Sequence, residues 1–215
     1  MTLKKPIAIL FDWDGTLVDS LSLICVSMAN TFKKANLPTP DDLNRQIHTP
    51  DFMKKHFPES QYHDLRKMYR EHYNELAKEG LQTLPHAEQS LEMLKSLKVK
   101  MAVVSNKLAD FLLMEVKRVK WEHYFETIVG SGTTPEDKPS PLPAFHALKD
   151  LNINASEDVW FFGDTVTDMT TAYNSGCLPV FFGEDDPSSE YYKHCRPKVH
   201  FRNHKELVEC LHGFK

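Results

Sequence analysis

Short apolar runs recur along this chain, separated by stretches with helical spacing. The runs cover 6–11, 99–104, 127–129, 159–162 and 179–182, and each closes at Asp, Ser, Asn or Gly. They are rich in β-branched and aromatic residues. Apolarity at nearly every position, rather than at alternate ones, marks a strand buried on both faces, as in a parallel sheet. Between the runs, Leu91, Leu94 and Leu97 recur three apart, and Leu108, Phe111, Leu112, Val116 and Val119 form a second stripe. A third helical stretch covers 141–151. Strand–helix alternation of this kind predicts an α/β fold, a doubly wound and mostly parallel sheet with right-handed crossovers. Near the end, Asn203 and Glu206 precede Leu207, Val208 and Leu211, in the pattern of a capping box that opens a last helix.

One segment breaks the alternation. From Asp19 to Leu84 there is no convincing strand. Leu21, Ile24, Cys25, Met28 and Phe32 make one helical stripe; Tyr62, Leu65, Tyr69, His72 or Tyr73, and Leu76 make another. Thr39 followed by Pro40 reads as an N-cap with proline at the first helical position. Pro38, Pro40, Pro50 and Pro58 divide the segment into short helices. So long a helical block exceeds an ordinary α/β crossover. The expected organisation is an α/β core from 1–18 and 85–215, with an inserted all-helical domain over 19–84. A long crossover packed on the sheet is the alternative.

Charge sharpens this division. The chain carries 26 Lys and Arg against 30 Asp and Glu, a net −4. The insert holds nine of each sign, so the whole excess lies in the core. An acidic balance argues against nucleic acid as a partner. The first apolar run stops at Asp12, too short for a signal peptide or a membrane span. A cytoplasmic protein is expected, with no membrane partner, as a monomer or homodimer. Cys25, Cys177, Cys195 and Cys210 are widely spaced and read as free thiols.

Chemistry concentrates at the ends of the apolar runs. The first ends in Asp12-Trp13-Asp14-Gly15-Thr16, two carboxylates where open α/β sheets bind ligands. Gly15 permits a sharp backbone turn that can bring the two aspartates into one pocket. A calcium loop starting at Asp12 would need glycine where Leu17 stands. Trp13 could pack in the core or shape a pocket floor. Asp164 follows Gly163 directly after the fourth run, and Asp168 falls one helical turn later. Alone, Asp164 reads equally as a helix N-cap. Carboxylates gathered at strand ends repel unless a cation sits among them, and an oxygen-only set suits Mg²⁺. Ser105 and Asn106 close the second run, where they could cap a helix or offer donors to an anion. Lys138 lies in a loop between Asp137 and Pro139.

Taken together, Asp-x-Asp-Gly-Thr, then Ser-Asn, then Lys-Pro, then Gly-Asp-x-x-x-Asp resemble the ordered motif set of the haloacid dehalogenase superfamily. The likeness extends to Leu17-Val18-Asp19-Ser20, similar to the hinge into a cap domain, and to Gly176-Cys177 after the fourth motif. Within the superfamily the chain is similar to the phosphoglycolate phosphatase-like phosphatases. That resemblance implies Asp12 as nucleophile and Asp14 as general acid and then base. It implies Ser105 and Asn106 on the phosphoryl oxygens or orienting Asp12, and Lys138 neutralising Asp12 and the transferring group. It implies Mg²⁺ held by the Asp12 carboxylate, the Asp14 backbone carbonyl and Asp164, with Asp168 a direct or supporting ligand. Superfamily members that cleave carbon–halogen or phosphonate bonds lack an acid at the position of Asp14, so Asp14 favours phosphate esters.

The resemblance further implies a helical cap that selects a small phosphorylated metabolite. Here the cap departs from the family pattern: Ile47-His48-Thr49-Pro50 stands where relatives carry a glycine-containing loop, and glycine is absent at His86-Ala87. His48 and Thr49 are candidate substrate-reading residues or simply surface ones. Two alternatives stand beside a phosphatase: a sugar phosphomutase sharing core and cap, and a non-catalytic phosphate-binding protein. The mutase needs cationic cap residues, and none stands out among Arg45, Lys54 and Lys55. The binding protein predicts damaged motifs, and Asp12, Asp14, Lys138 and Asp164 are intact.

Overall fold

The computed structural model describes residues 3–47 and 52–214. It divides into two compact units, 1–18 with 83–215, and 19–82. In the larger unit, β1 (Ala8–Phe11) is followed, after the insert, by α5 and β4, α6 and β5, α7 and β6, α8 and β7, then β8 and α9. The helices are α5 (Ala87–Ser96), α6 (Ala109–Arg118), α7 (Leu142–Leu151), α8 (Val166–Ser175) and α9 (His204–His212). The strands are β4 (Lys100–Leu108), β5 (Thr127–Ser131), β6 (Val159–Gly163), β7 (Leu178–Phe182) and β8 (Val199–Phe201). The chain leaves through β2 (Val18–Asp19) and returns through β3 (Gln82–Thr83). Leu84 N–H donates to Leu17 C=O at 2.9 Å, tying exit and return together within the core unit.

Six parallel strands form one sheet in the order β5-β4-β1-β6-β7-β8. The strand order reverses between β1 and β6, so a crevice opens at their carboxyl ends. Alternate residues of β1 serve the two faces. Ala8 and Leu10 join Val104, Phe161, Leu148 and Ala172 in a core against α7 and α8. On the opposite face, the Phe11 ring meets Phe162 at 5.3 Å, and Phe162 stacks on Phe201 and His204. Each such ring removed from water contributes about 2 kcal/mol, so near-continuous apolar runs are what two covered faces require.

Three local expectations change. β4 does not stop at Val104: it continues through Ser105 and Asn106 to Leu108, with a register irregularity against β5. Ser105 and Asn106 therefore lie in an extended bulged strand end, and the helix starts only at Ala109. β8 was not foreseen: three residues with His200 at their centre make no apolar run. The last helix does open at Asn203, whose side chain accepts from Glu206 N–H at 3.1 Å, but the Glu206 carboxylate reaches back to Arg202 N–H instead of the cap residue's own.

The smaller unit contains α1 (Leu21–Lys34), α2 (Leu43–Gln46), α3 (Phe52–His56) and α4 (Tyr62–Gly80). Met28, Phe32, Leu43, Phe52, Phe57 and Leu65 form its core. Leu21, Ile24 and Cys25 are only half-buried, and the buried face of α1 takes in Ser27 and Thr31 instead. Their hydroxyls donate to the carbonyls four residues back, which makes the polar positions tolerable. The expected helix start at Thr39-Pro40 does not form. Residues 41–42 make a turn and α2 begins at Leu43, because adjacent aspartates favour turns over a helix interior. His48 and Thr49 lie outside the described residues. Among the described residues, no helix is long and apolar enough to cross a membrane.

His204, at the start of α9, ties the sheet to the turn after β1. Its Nε2 lies 2.7 Å from Thr16 C=O and so carries the proton it donates. Nδ1 is left to accept from the Ser90 hydroxyl at 3.2 Å. Burial, opposed only in part by the Thr16 bond, pushes the imidazole down to about 4. Between pH 6.5 and 4 the unfolded chain binds a proton here that the folded chain does not, so stability falls as pH falls through that window. From pH 7 to pH 5 the loss from this one group is about 2 kcal/mol. Chemical denaturation of His204→Phe is expected to show that slope removed. At pH 7 the variant should lose about 1–3 kcal/mol, because Thr16 C=O is left unpaired.

Candidate active site

The turn after β1 sets the geometry. Asp12 N–H still donates to Phe162 C=O at 2.8 Å, extending the ladder by one residue and fixing Asp12 at the crevice. The carbonyl of Trp13 then accepts from Leu17 N–H and Val18 N–H, closing a tight loop. Gly15 takes φ +75°, and a Cβ there would stand 2.3 Å from Asp164 Oδ2. Both the backbone and the space demand glycine. Gly163 is required for the second reason alone: a Cβ would collide with the Asp168 carboxylate at 2.5 Å.

Three carboxylates meet at this point. Asp12, Asp164 and Asp168 each bring one oxygen within 4.8 Å of the others. Lys138 enters from the β5–α7 loop with its ammonium 2.7 Å from Asp12 Oδ1 and 2.6 Å from Asp168 Oδ1. Asp168 is fully buried and also closes the capping box of α8, accepting from Thr165 N–H and Thr165 Oγ1 through Oδ2. Thr16 Oγ1 donates to Asp164 Oδ1 at 3.1 Å.

Three negative charges face one positive charge. Burial, helped by the Asp168 charge and opposed by Lys138, raises the Asp12 carboxyl to about 7. Burial and then Asp168 and Asp12 hold Asp164 well above the usual carboxylate range. Burial works against the Lys138 charge, yet Asp12 and Asp168 outweigh it and keep the ammonium protonated. An excess of hard oxygen donors that resist ionising side by side fits a small divalent cation. Asp12 and Asp164 are best placed to hold it, since both oxygens of Asp168 already accept from protein donors.

The remaining motif residues divide. Ser105 is buried, and its hydroxyl accepts from Lys107 N–H at 3.2 Å, leaving its own proton to donate. Asn106 reaches the loop that carries Lys138. Its amide clamps the Lys138 backbone at two points, accepting from N–H and donating to C=O, both at 2.9 Å. Sequence distance hides that link, since it joins residues 32 apart. Asp14 stands outside the three-carboxylate cluster, with Oδ1 2.6 Å from Lys107 Nζ.

Sequence reasoning missed Lys107, Glu115, Thr16, Thr165 and His204. Glu115 left a signal: it falls on the same helical face as Phe111, Leu112 and Val116, where a lone carboxylate needs a reason. It is fully buried, accepting from Lys107 Nζ and from the Trp13 indole, each at 2.7 Å. Trp13 packs in the core, edge-on to Trp121 with ring centroids 6.1 Å apart.

The chain is similar to known proteins. The family model of haloacid dehalogenase-like hydrolases matches residues 9–181. A phosphoglycolate phosphatase of Aquifex aeolicus is 33% identical over 172 residues, covering 78% of this chain and 80% of its own. The crystal structure of a haloacid dehalogenase-superfamily hydrolase from Ehrlichia chaffeensis superposes with a TM-score of 0.69 at 27% identity, over 99% of this chain and 98% of that one. A Thermotoga maritima structure provisionally named β-phosphoglucomutase aligns with a TM-score of 0.76 at 21% identity, over 97% and 99% of the two chains, a likeness of fold alone. The ordered motifs, their convergence on the carboxyl edge of one sheet and the extent of the match lead to one conclusion: the chain belongs to the haloacid dehalogenase-like hydrolase family.

Proposed function

We propose that the chain is a Mg²⁺-dependent phosphatase that hydrolyses a small-molecule phosphate monoester through an aspartyl-phosphate on Asp12. The observation that carries this reading is the unequal pairing of two aspartates two residues apart. Asp12 is clamped by Lys138 inside a three-carboxylate cluster. Asp14 is held separately by Lys107. One is thus arranged as nucleophile, the other as proton carrier.

In the first step an Asp12 oxygen bonds to phosphorus as the ester P–O bond breaks, and Asp14 gives its proton to the departing alcohol. In the second, Asp14 takes a proton from water, whose oxygen bonds to phosphorus and releases phosphate from Asp12. Lys138 neutralises charge on Asp12 and on the transferring group. Asp12 and Asp164, with the Asp14 carbonyl, would hold the Mg²⁺, which when bound neutralises phosphoryl oxygens. Ser105 donates to a phosphoryl oxygen, Asn106 keeps Lys138 in place, and Asp168 holds Lys138 while remaining a direct or supporting ligand. The helical unit is assigned the part of a cap that selects the leaving group. The likeness to the Aquifex aeolicus protein puts phosphoglycolate first among candidate substrates. A sugar phosphomutase is the second reading, favoured only by the Thermotoga maritima fold.

A panel of phosphate esters with Mg²⁺ separates the two, since release of inorganic phosphate is the expected result and isomerisation of a sugar phosphate without release would favour the mutase. Asp12→Asn should lose at least about 10³-fold in hydrolysis of an aryl phosphate. Its melting temperature should hold or rise, because one of three repelling carboxylates is gone. A fully active Asp12→Asn enzyme would refute the mechanism. Chelation with EDTA should abolish turnover and added Mg²⁺ restore it. Independently of activity, Mg²⁺ should raise the melting temperature of the wild type and not of Asp164→Asn.

A further inference from the structure

Trp13, Glu115, Lys107 and Asp14 form a continuous chain of polar contacts beside the three-carboxylate cluster. The Trp13 indole N–H donates to Glu115 Oε2 at 2.7 Å. Lys107 Nζ donates to that same oxygen at 2.7 Å and to Asp14 Oδ1 at 2.6 Å. The Glu115 side chain is fully buried, and those of Lys107 and Asp14 are 8% and 22% exposed.

We infer that Lys107 is a positioning residue, held by the Trp13–Glu115 strut so that it fixes the side-chain orientation of Asp14 toward the leaving group. This rests on the proposed reading of Asp14 as the acid. A lysine is a flexible stem with a strongly hydrated end, so fixing it needs bonds that outweigh its rotamer entropy. Two charge-assisted contacts do so here. Glu115 is an expensive way to hold α6 against the sheet. A buried carboxylate carries a desolvation penalty that an apolar residue avoids, and among the described residues its Oε1 has no hydrogen-bond partner. The rest of that helix face is apolar: Phe111, Leu112 and Val116. Packing alone therefore does not account for a carboxylate at 115; holding Lys107 does. Trp13 makes the strut rigid because it sits between the two aspartates and is itself locked. It is fully buried, and its carbonyl closes the turn that presents Asp14. The chain thus links the side chain of one residue of the turn to that of the next through α6 and the end of β4.

Leaving-group dependence tests this. An aryl phosphate such as 4-nitrophenyl phosphate departs with little help from an acid, whereas an alkyl phosphate such as glycerol 2-phosphate departs only with a proton. For Lys107→Met, kcat/KM is expected to fall roughly tenfold or more on the alkyl ester and less than about threefold on the aryl ester. Glu115→Gln keeps the volume and an acceptor for Trp13, and should show the same selectivity to a smaller extent. Since Lys107→Met leaves a buried carboxylate uncompensated, the double variant Lys107→Met/Glu115→Gln supplies a folded control without either charge and keeps an acceptor for the Trp13 indole. It should show the same alkyl-selective loss at an unchanged unfolding midpoint. Equal losses on both esters, or an unchanged alkyl rate in the folded double variant, would overturn the inference. Asp14→Asn separates this from failure of the underlying reading. If Asp14→Asn is not alkyl-selective, the acid role itself is wrong. If it is selective and the Lys107 variants are not, only the positioning role fails.

Discussion

A single buried ammonium, that of Lys138, is the interaction on which the catalytic end of the fold depends. It lies 2.7 Å from Asp12 and 2.6 Å from Asp168, and all three side chains are largely out of water. A lone ion at such a place would cost several kcal/mol, and taking the ammonium from between its carboxylates would cost about 3–5 kcal/mol. The pair is also unequal, because Asp164 adds a third carboxylate with no second ammonium in the described cluster. The folded chain therefore stores repulsion at its sheet edge, visible as the raised Asp12 and Asp164 carboxyls. That repulsion is what a cation and a phosphoryl group would exploit: one adds positive charge, the other needs it.

The strand order explains how the parts arrive. β1 lies between β4 and β6, so the first loop of the chain is flanked by elements about 90 and 150 residues later. Asp12 comes from β1, Asp164 from the end of β6, and Ser105 and Asn106 from β4. Lys138 arrives on the loop after β5 and is fixed there by Asn106. Two glycines make the convergence sterically possible. Without Gly15 the turn would strike Asp164, and without Gly163 the strand would strike Asp168. The backbone therefore approaches the carboxylates as closely as their own packing allows.

The hydrophobic pattern disclosed the sheet because burial on both faces leaves an unbroken apolar run, which only a covered parallel strand requires. β8 escaped for the same reason in reverse: at the sheet edge, with His200 between Val199 and Phe201, it has no such need. The carboxylates and Lys138 were legible through order and spacing, since Asp12 and Asp164 follow strands directly, Asp168 falls one helical turn later and Lys138 sits in a Lys-Pro loop. Asn106 shows the limit. Its residue type suits a helix cap or an anion donor, and the contact it makes with the Lys138 backbone depends on a fold that brings residues 32 apart together. Thr16, Thr165 and His204 act through contacts made by common residue types, which no local pattern distinguishes. The turn at 41–42 was missed because a proline after a threonine permits a helix without compelling one.

Two lysines in this core unit stand between pairs of carboxylates, Lys138 between Asp12 and Asp168, and Lys107 between Asp14 and Glu115. The parallel gives two chemically identical aspartates, two residues apart, different surroundings. Around Asp12 the second carboxylate belongs to a cluster that a cation can enter, so the local charge is adjustable. Around Asp14 the second carboxylate is fully buried and bonded to the Trp13 indole, so the place of the ammonium between them is fixed by the fold. A nucleophile profits from the first setting, because its charge must change as the phosphoryl group arrives. A residue that passes a proton both ways profits from the second, because its place must hold while its protonation alternates. Under the proposed roles, the turn Asp12-Trp13-Asp14-Gly15 carries the division of labour in its connections to β4, α6 and the β5–α7 loop, and the short motif depends on those distant elements folding against it.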